Sequence, residues 1–267
     1  MSAYLSLFKL RLAVQFQYRA AAAASFFTQL FFGFIIVMVF HAFYTAAAKP
    51  QPMTLAAAVT YTWLGQATLR LQPGFANDTE VINMVRSGNI AYELCRPLDL
   101  YLLWYVRLLS QRIIPTLMAG VPLFTISLLL PSGYGSSLPA SFASGAAWFL
   151  SLILALLLSC AISNLVTVST LWTIAGDGMQ RIFPAFTMVF SGLNVPLAFF
   201  PDWSQAILKF LPFSGLVDFP FRLYLGMVPA SSIVTFGLLQ LFWTGVFILA
   251  GILLLRLGKR KVTIQGG

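Results

Sequence analysis

Long apolar runs alternate with short polar breaks along the whole chain. Residues 20–44, 54–69, 113–130, 142–172, 183–200 and 230–255 each read as a helix that crosses a bilayer, since about 20 apolar residues span the hydrocarbon core. The predicted fold is an all-α polytopic membrane protein with six transmembrane helices, one membrane domain over residues 1–267. Residues 100–112 are aromatic and carry Arg107 and Arg112, so this segment is expected at the membrane interface, ahead of the third span. Pro115 and Pro122 are expected to bend that span. Between residues 113 and 176 there is no charged residue.

Three stretches depart from the pattern. In residues 2–19, Leu5, Phe8, Leu12 and Phe16 recur at spacings of three and four, with Lys9, Arg11 and Arg19 elsewhere on the wheel. This predicts a helix lying in the interface with its basic residues near anionic headgroups. The interruptions by charge also exclude a cleavable signal. In residues 201–229, two short amphipathic segments, 202–211 and 214–225, are broken at Pro212-Phe213. Each is too short to span, so a re-entrant or interfacial hairpin is expected, because an apolar segment in lipid must still satisfy its backbone.

The third stretch, residues 74–99, is polar where its surroundings are not. Asp78, Glu80 and Glu93 are three of the chain's seven acidic residues. Asn77 and Glu80 fit a capping box at a helix start. Val81, Met84 and Val85 form a short apolar stripe, Ser87-Gly88 ends the helix, and Arg96-Pro97 forces extended backbone. An ordered helix on a short water-facing loop points to a docking element. Val81, Met84 and Val85 are its expected apolar anchors, with Glu80, Arg86, Glu93 and Arg96 around them.

Composition agrees with the membrane reading: 59% of residues are hydrophobic and 9% charged, against about 25% charged in soluble domains. The net charge of +9 sets orientation here rather than nucleic-acid binding. With the N-terminus inside, only Lys49, Lys209 and Arg222 of the 16 lysines and arginines fall outside. Both termini are therefore expected in the cytoplasm, residues 74–99 inside and residues 201–229 outside, in a cytoplasmic (inner) membrane. Cys95 lies in the polar stretch and Cys160 in an apolar run, so no disulfide joins them.

Catalytic chemistry is missing. There is no GxxxxGK[ST] phosphate loop, and the single histidine, His41, cannot form a zinc site or an acid–base pair. No catalytic, cofactor-binding or metal-binding residues are assigned. No carboxylate sits mid-span, which disfavours a carrier driven by protons or sodium. Gln29, Ser159, Ser163, Asn164, Thr167, Asn194 and Gln240 lie within spans. They either line a path or bond helix to helix, and the pattern does not choose between these.

An interfacial helix, six spans, an ordered loop between spans two and three and a broken outer hairpin together resemble the membrane (permease) subunit of a type-2 ATP-binding-cassette (ABC) exporter. The run from Arg86 to Leu98 (RSGNIAYELCRPL) is similar to a cytoplasmic stretch of a compact subgroup. Leu211-Pro212-Phe213 with Gly215, Pro220 and Gly226 is similar to its outer hairpin. The resemblance implies that the loop holds a coupling helix docking on a separate cytoplasmic ABC ATPase dimer, where ATP and magnesium bind. It implies a second permease subunit, a different chain or a copy of this one, and no enzymatic activity in the chain itself. The alternatives are a non-transporting scaffold or sensor subunit and an intramembrane lipid-processing enzyme.

Overall fold

The computed structural model describes residues 2–75, 78–172 and 177–258. Every regular element among them is helical. α1 (Ser2–Gln15) turns into α2 (Arg19–Ala46) through bonds such as Tyr18 N–H to the Gln15 carbonyl, 3.2 Å. The helix expected over residues 2–19 thus ends at Gln15. Tyr4 and Leu7 face the protein, while Leu5, Leu10 and Phe16 stay exposed.

α3 (Leu55–Ala67) starts where the Thr54 hydroxyl accepts from Ala57 N–H, and a 3₁₀ turn over Leu69–Leu71 closes it. After α4 (Thr79–Arg86) and α5 (Ala91–Leu94) comes α6 (Leu100–Pro115), then a π-helical turn over Thr116–Gly120, then α7 (Val121–Leu129). α8 (Phe142–Ser169) is central, packing on α6, on α11 (Asp218–Tyr224) and most extensively on α12 (Ile233–Gly258). α9 (Asp177–Phe190) and α10 (Asp202–Phe210) lie between α8 and α11 in the sequence.

Among the described residues, four helical columns are long and apolar enough to cross a membrane: Arg19–Ala46, Leu100–Leu129, Phe142–Ser169 and Ala230–Gly258. α3 and α9, at 13 and 14 residues, reach only about 20 Å at 1.5 Å per residue. These are the second and fifth expected spans, and they fall short of a full hydrocarbon crossing. For α3 the reason is burial: Ala58, Tyr61, Trp63 and Leu64 are enclosed by protein, so lipid does not set its length. α2 comes so close to it that a side chain in place of Gly33 would collide with the Trp63 ring.

Residues 100–112 are not a separate interfacial segment. They form one column with the third span, and Arg107 and Arg112 are buried in it, 3% and 0% exposed. Pro115 stays inside the helix. The wider turn that follows is a known way to absorb a break in the hydrogen-bond ladder, and Gly120 fits it against the Ala67 carbonyl.

The hairpin breaks at Pro212-Phe213 as expected. Trp203, Ile207 and Phe210 on α10 are exposed, whereas Phe219, Phe221 and Leu223 on α11 are buried. The hairpin reaches deep: Gln240 Nε2 on α12 donates to the Gly215 carbonyl (2.6 Å), and Gln72 Nε2, beyond α3, donates to the Leu216 carbonyl (3.3 Å). Asp218 at its turn accepts from Leu197 N–H and the Tyr61 hydroxyl, and burial pushes its carboxyl above the usual range. His41 bonds a loop: its Nε2 lies 2.6 Å from the Gly133 carbonyl and its ring stacks on Tyr134. Cys95 and Cys160 are both free thiols.

Candidate functional site

The polar stretch is fastened to the bundle by one buried arginine. Arg107 on α6 points its guanidinium into the loop. Nε donates to Asp78 Oδ2 (2.7 Å) and Nη1 to Glu93 Oε1 (3.1 Å), and Nη2 pairs with Glu80 Oε2 at 2.7 Å. Trp104, one helical turn earlier, donates its indole N–H to the other Glu93 oxygen at 2.7 Å. Arg11 on α1 donates to Glu80 at 3.0 Å. One cation therefore grips carboxylates from the start of α4 and from α5 and, through Glu80 and Arg11, reaches α1. The Arg11 hydrogen bond, aided by the Arg107 charge, holds the Glu80 carboxyl below its ordinary value.

Asp78 does double duty: its Oδ1 also accepts from Val81 N–H and so caps α4. The expected cap, Asn77, lies outside the described residues. At the far end Asp99 caps α6 by accepting from Leu102 N–H, and its own N–H donates to the Tyr4 hydroxyl at 2.8 Å. Gly88 carries the turn after α4 with φ of 76°, a conformation that favours glycine.

This arrangement revises the expected docking set. Val81 is fully buried among Ile90, Leu100, Leu103 and Trp104, and Met84 and Val85 pack partly against the same cluster. The apolar stripe thus serves the chain's own core, because α6 offers it an apolar face directly above. Glu93 is interior, not rim. Of the expected residues, Glu80, Arg86 and Arg96 stay at the surface, with Asn83, Ser87, Asn89 and Cys95 beside them. Asp78, Trp104 and Arg107 were not among the expected site residues. The signal available was spacing: Leu100, Leu103, Trp104 and Arg107 share one helical face.

The polar residues within the spans fall into two groups. Ser163 accepts from Arg112 Nη2 (2.6 Å), Thr167 donates to the Ser163 carbonyl, and Asn164 Nδ2 donates to the Tyr101 carbonyl. Gln240 bonds Ser151 and Gly215, and Ser159 donates to the Leu71 carbonyl. All five are enclosed between helices. Gln29 and Asn194 instead face a cleft of about 800 Å³ beside α2, shared with Gln66, Phe32 and Met188. Through Ser25 and Arg70 this cleft joins one of about 360 Å³ that reaches Arg11, Gln15 and Gln111. Through Ile36 and Asn194 it joins a third, of about 720 Å³, lined by Phe40, Phe43 and Phe199.

A helical membrane bundle with a charge-fixed loop and a cleft along one helix has a counterpart among known families. The profile described as ABC-2 family transporter protein matches residues 34–266. The chain belongs to the ABC-2 transporter family. It is accordingly a multi-pass membrane permease of ABC transporters, a component that is not itself catalytic. No curated protein matches it. The family match takes in the loop, Arg107, the hairpin and α12, and begins partway along α2, so α1 and Arg11 precede it.

Proposed function

We propose that this permease is the membrane subunit of an ABC exporter that crosses the cytoplasmic membrane six times, with both termini in the cytoplasm. On this reading the exposed face of residues 79–97 docks on a cytoplasmic ABC ATPase dimer, and a second permease, a different chain or a copy, completes the path. ATP and magnesium sit on the ATPase. The single observation that carries the reading is the Arg107 cluster: a loop pinned by ion pairs to α6 and α1 passes on displacement instead of absorbing it. ATP-driven closure of the ATPase would push the loop, and Arg107 and Arg11 would carry that push into α6 and α1.

Six crossings are supported by the way α2, α3, α6–α7, α8, α9 and α12 run between the α1 end and the hairpin end, the short α3 being enclosed by protein while Ile182, Phe186 and Val189 of α9 stay exposed. Orientation is supported by the lysine and arginine distribution, which is densest at the α1 end. The docking face is assigned to Asn83, Arg86, Ser87, Asn89, Cys95 and Arg96, a mixed polar surface of the kind found at interface rims.

Cys95 supplies the test, since it is exposed while Cys160 is buried. The purified permease is treated with a maleimide-polyethylene glycol reagent, alone and in complex with the ATPase that co-purifies in mild detergent. Rapid modification of Cys95 alone and protection in the complex is the expected result. Equal rates in both place docking elsewhere. A complex whose ATP turnover does not change when Arg96→Glu is introduced would instead favour the scaffold reading.

A further inference from the structure

The three clefts follow one another along α2, each sharing lining residues with the next, and together outline a groove. The α2 residues lining it run from Ala21 to Phe43, about 33 Å of helix at 1.5 Å per residue, close to the ~30 Å hydrocarbon thickness. The inner mouth is polar, with Gln15, Gln111 and Arg70. Beyond it the walls are mainly apolar, with Phe32, Ile36 and Met188 and then Phe40 and Phe43, interrupted by Gln29, Gln66 and Asn194.

Arg70 lies at the seam, lining both the inner cleft and the middle one. It is half-buried, and its described contact is one hydrogen bond, Nη1 to the Phe75 carbonyl at 3.3 Å. A guanidinium has five N–H donors, so most of its donors are unspent. No described carboxylate pairs with it. The other charges at this mouth are already engaged: Asp78 by Arg107, and Glu80 by Arg11 and Arg107. A half-buried cation without a counter-ion favours an anion that brings the missing acceptors. The apolar walls above it favour a tail.

We propose that the groove binds an amphiphile with an anionic head, phosphate or carboxylate, seated on Arg70, and an apolar tail laid along α2 past Ile36. This names the substrate class of the permease and rests on the permease reading only in treating the groove as the transport path. Binding itself is measured on the chain without its ATPase.

The purified full-length chain in a neutral detergent is titrated with radiolabelled hexadecyl phosphate, which has head and tail. Hexadecanol (tail without charge) and inorganic phosphate (charge without tail) are the controls. The expected result is binding of hexadecyl phosphate about tenfold or more tighter than hexadecanol, with inorganic phosphate a poor competitor. Arg70→Gln should erase that preference while the chain keeps its size-exclusion profile, and Arg70→Lys should retain part of it. Ile36→Trp, which narrows the junction of the middle and outer clefts, should weaken hexadecyl phosphate but leave butyl phosphate unchanged, and it keeps the idea testable if Arg70→Gln does not fold. Equal binding of hexadecyl phosphate and hexadecanol overturns the proposal. So does displacement by inorganic phosphate at comparable concentration, or a preference that survives Arg70→Gln. A chain that keeps the preference but captures no ATPase removes the transporter reading and leaves the site. A chain that docks its ATPase without the preference removes the site alone.

Discussion

Arg107 and Arg112 sit on the same helix, both closed off from solvent, and they are held in opposite ways. Arg107 meets Asp78, Glu80 and Glu93. Arg112 meets no described carboxylate: it donates to the Ser163 hydroxyl at 2.6 Å and the Leu108 carbonyl at 3.4 Å, lies 3.8 Å from Cys160 Sγ, and its Nε has no partner. Taking a guanidinium out of water costs several kcal/mol. At Arg107 three anions offset that cost and in turn depend on it. At Arg112 only neutral acceptors do, and nothing else in the fold relies on its charge. Burial alone therefore does not mark a charge as structural; what matters is how many other buried groups its removal would strand.

The largest effect is expected for Arg107→Met. Removing the cation leaves Asp78 and Glu93 buried and uncompensated, a loss of about 3–5 kcal/mol, read as early melting or aggregation in detergent. Wild-type melting of this variant would mean that the carboxylates do not need their counter-charge. Trp104→Phe removes one donor to Glu93 and keeps the ring, with an expected loss of about 1.5–3 kcal/mol in the same assay. Arg112→Met should go the other way, with no loss and a gain of about 1 kcal/mol; a drop like that of Arg107→Met would erase the distinction drawn here.

Smallest is Glu80→Gln, below about 1 kcal/mol, because Glu80 is largely exposed and its pairs with Arg11 and Arg107 are solvent-screened. Its sign can still be read. Arg11 lowers the carboxyl in the folded chain below its ordinary value of 4.5. The contribution is therefore present above that value and lost as pH falls through the folded one. Stability measured from pH 6 to pH 3 should fall slightly less steeply in Glu80→Gln than in wild type.

Much of this was legible in the sequence. Apolar run length gave the membrane class, Pro212-Phe213 the hairpin break, and Ser87-Gly88 the end of α4. The interior of the site was not. Reading arginines near a span end as headgroup contacts placed Arg107 and Arg112 at the interface, although Arg107 shares its helical face with Leu100, Leu103 and Trp104. Val81, Met84 and Val85 do form a stripe, but a stripe does not say which surface it meets, and α6 is the nearer one. Asn77 and Asp78 are adjacent side-chain acceptors at one helix start, and neighbouring candidates of this kind are not separated by pattern alone. Gln29 and Ser163 look alike as polar residues in apolar runs. Only packing sends one to the cleft and the other to Arg112.

The wide turn over Thr116–Gly120 has a consequence for any comparison of this chain with its relatives. Before it, α6 addresses α8 and α1; after it, α7 addresses α3. Each α-helical residue advances the facing direction by about 100°, so losing a single residue here would rewind the turn and swing Leu123, now fully enclosed, away from α3. Alignments across these five positions carry a hidden phase. Two relatives that match residue for residue on both sides but differ by one gap in the turn would present different surfaces from Val121 onward, and their identity score would not reveal it.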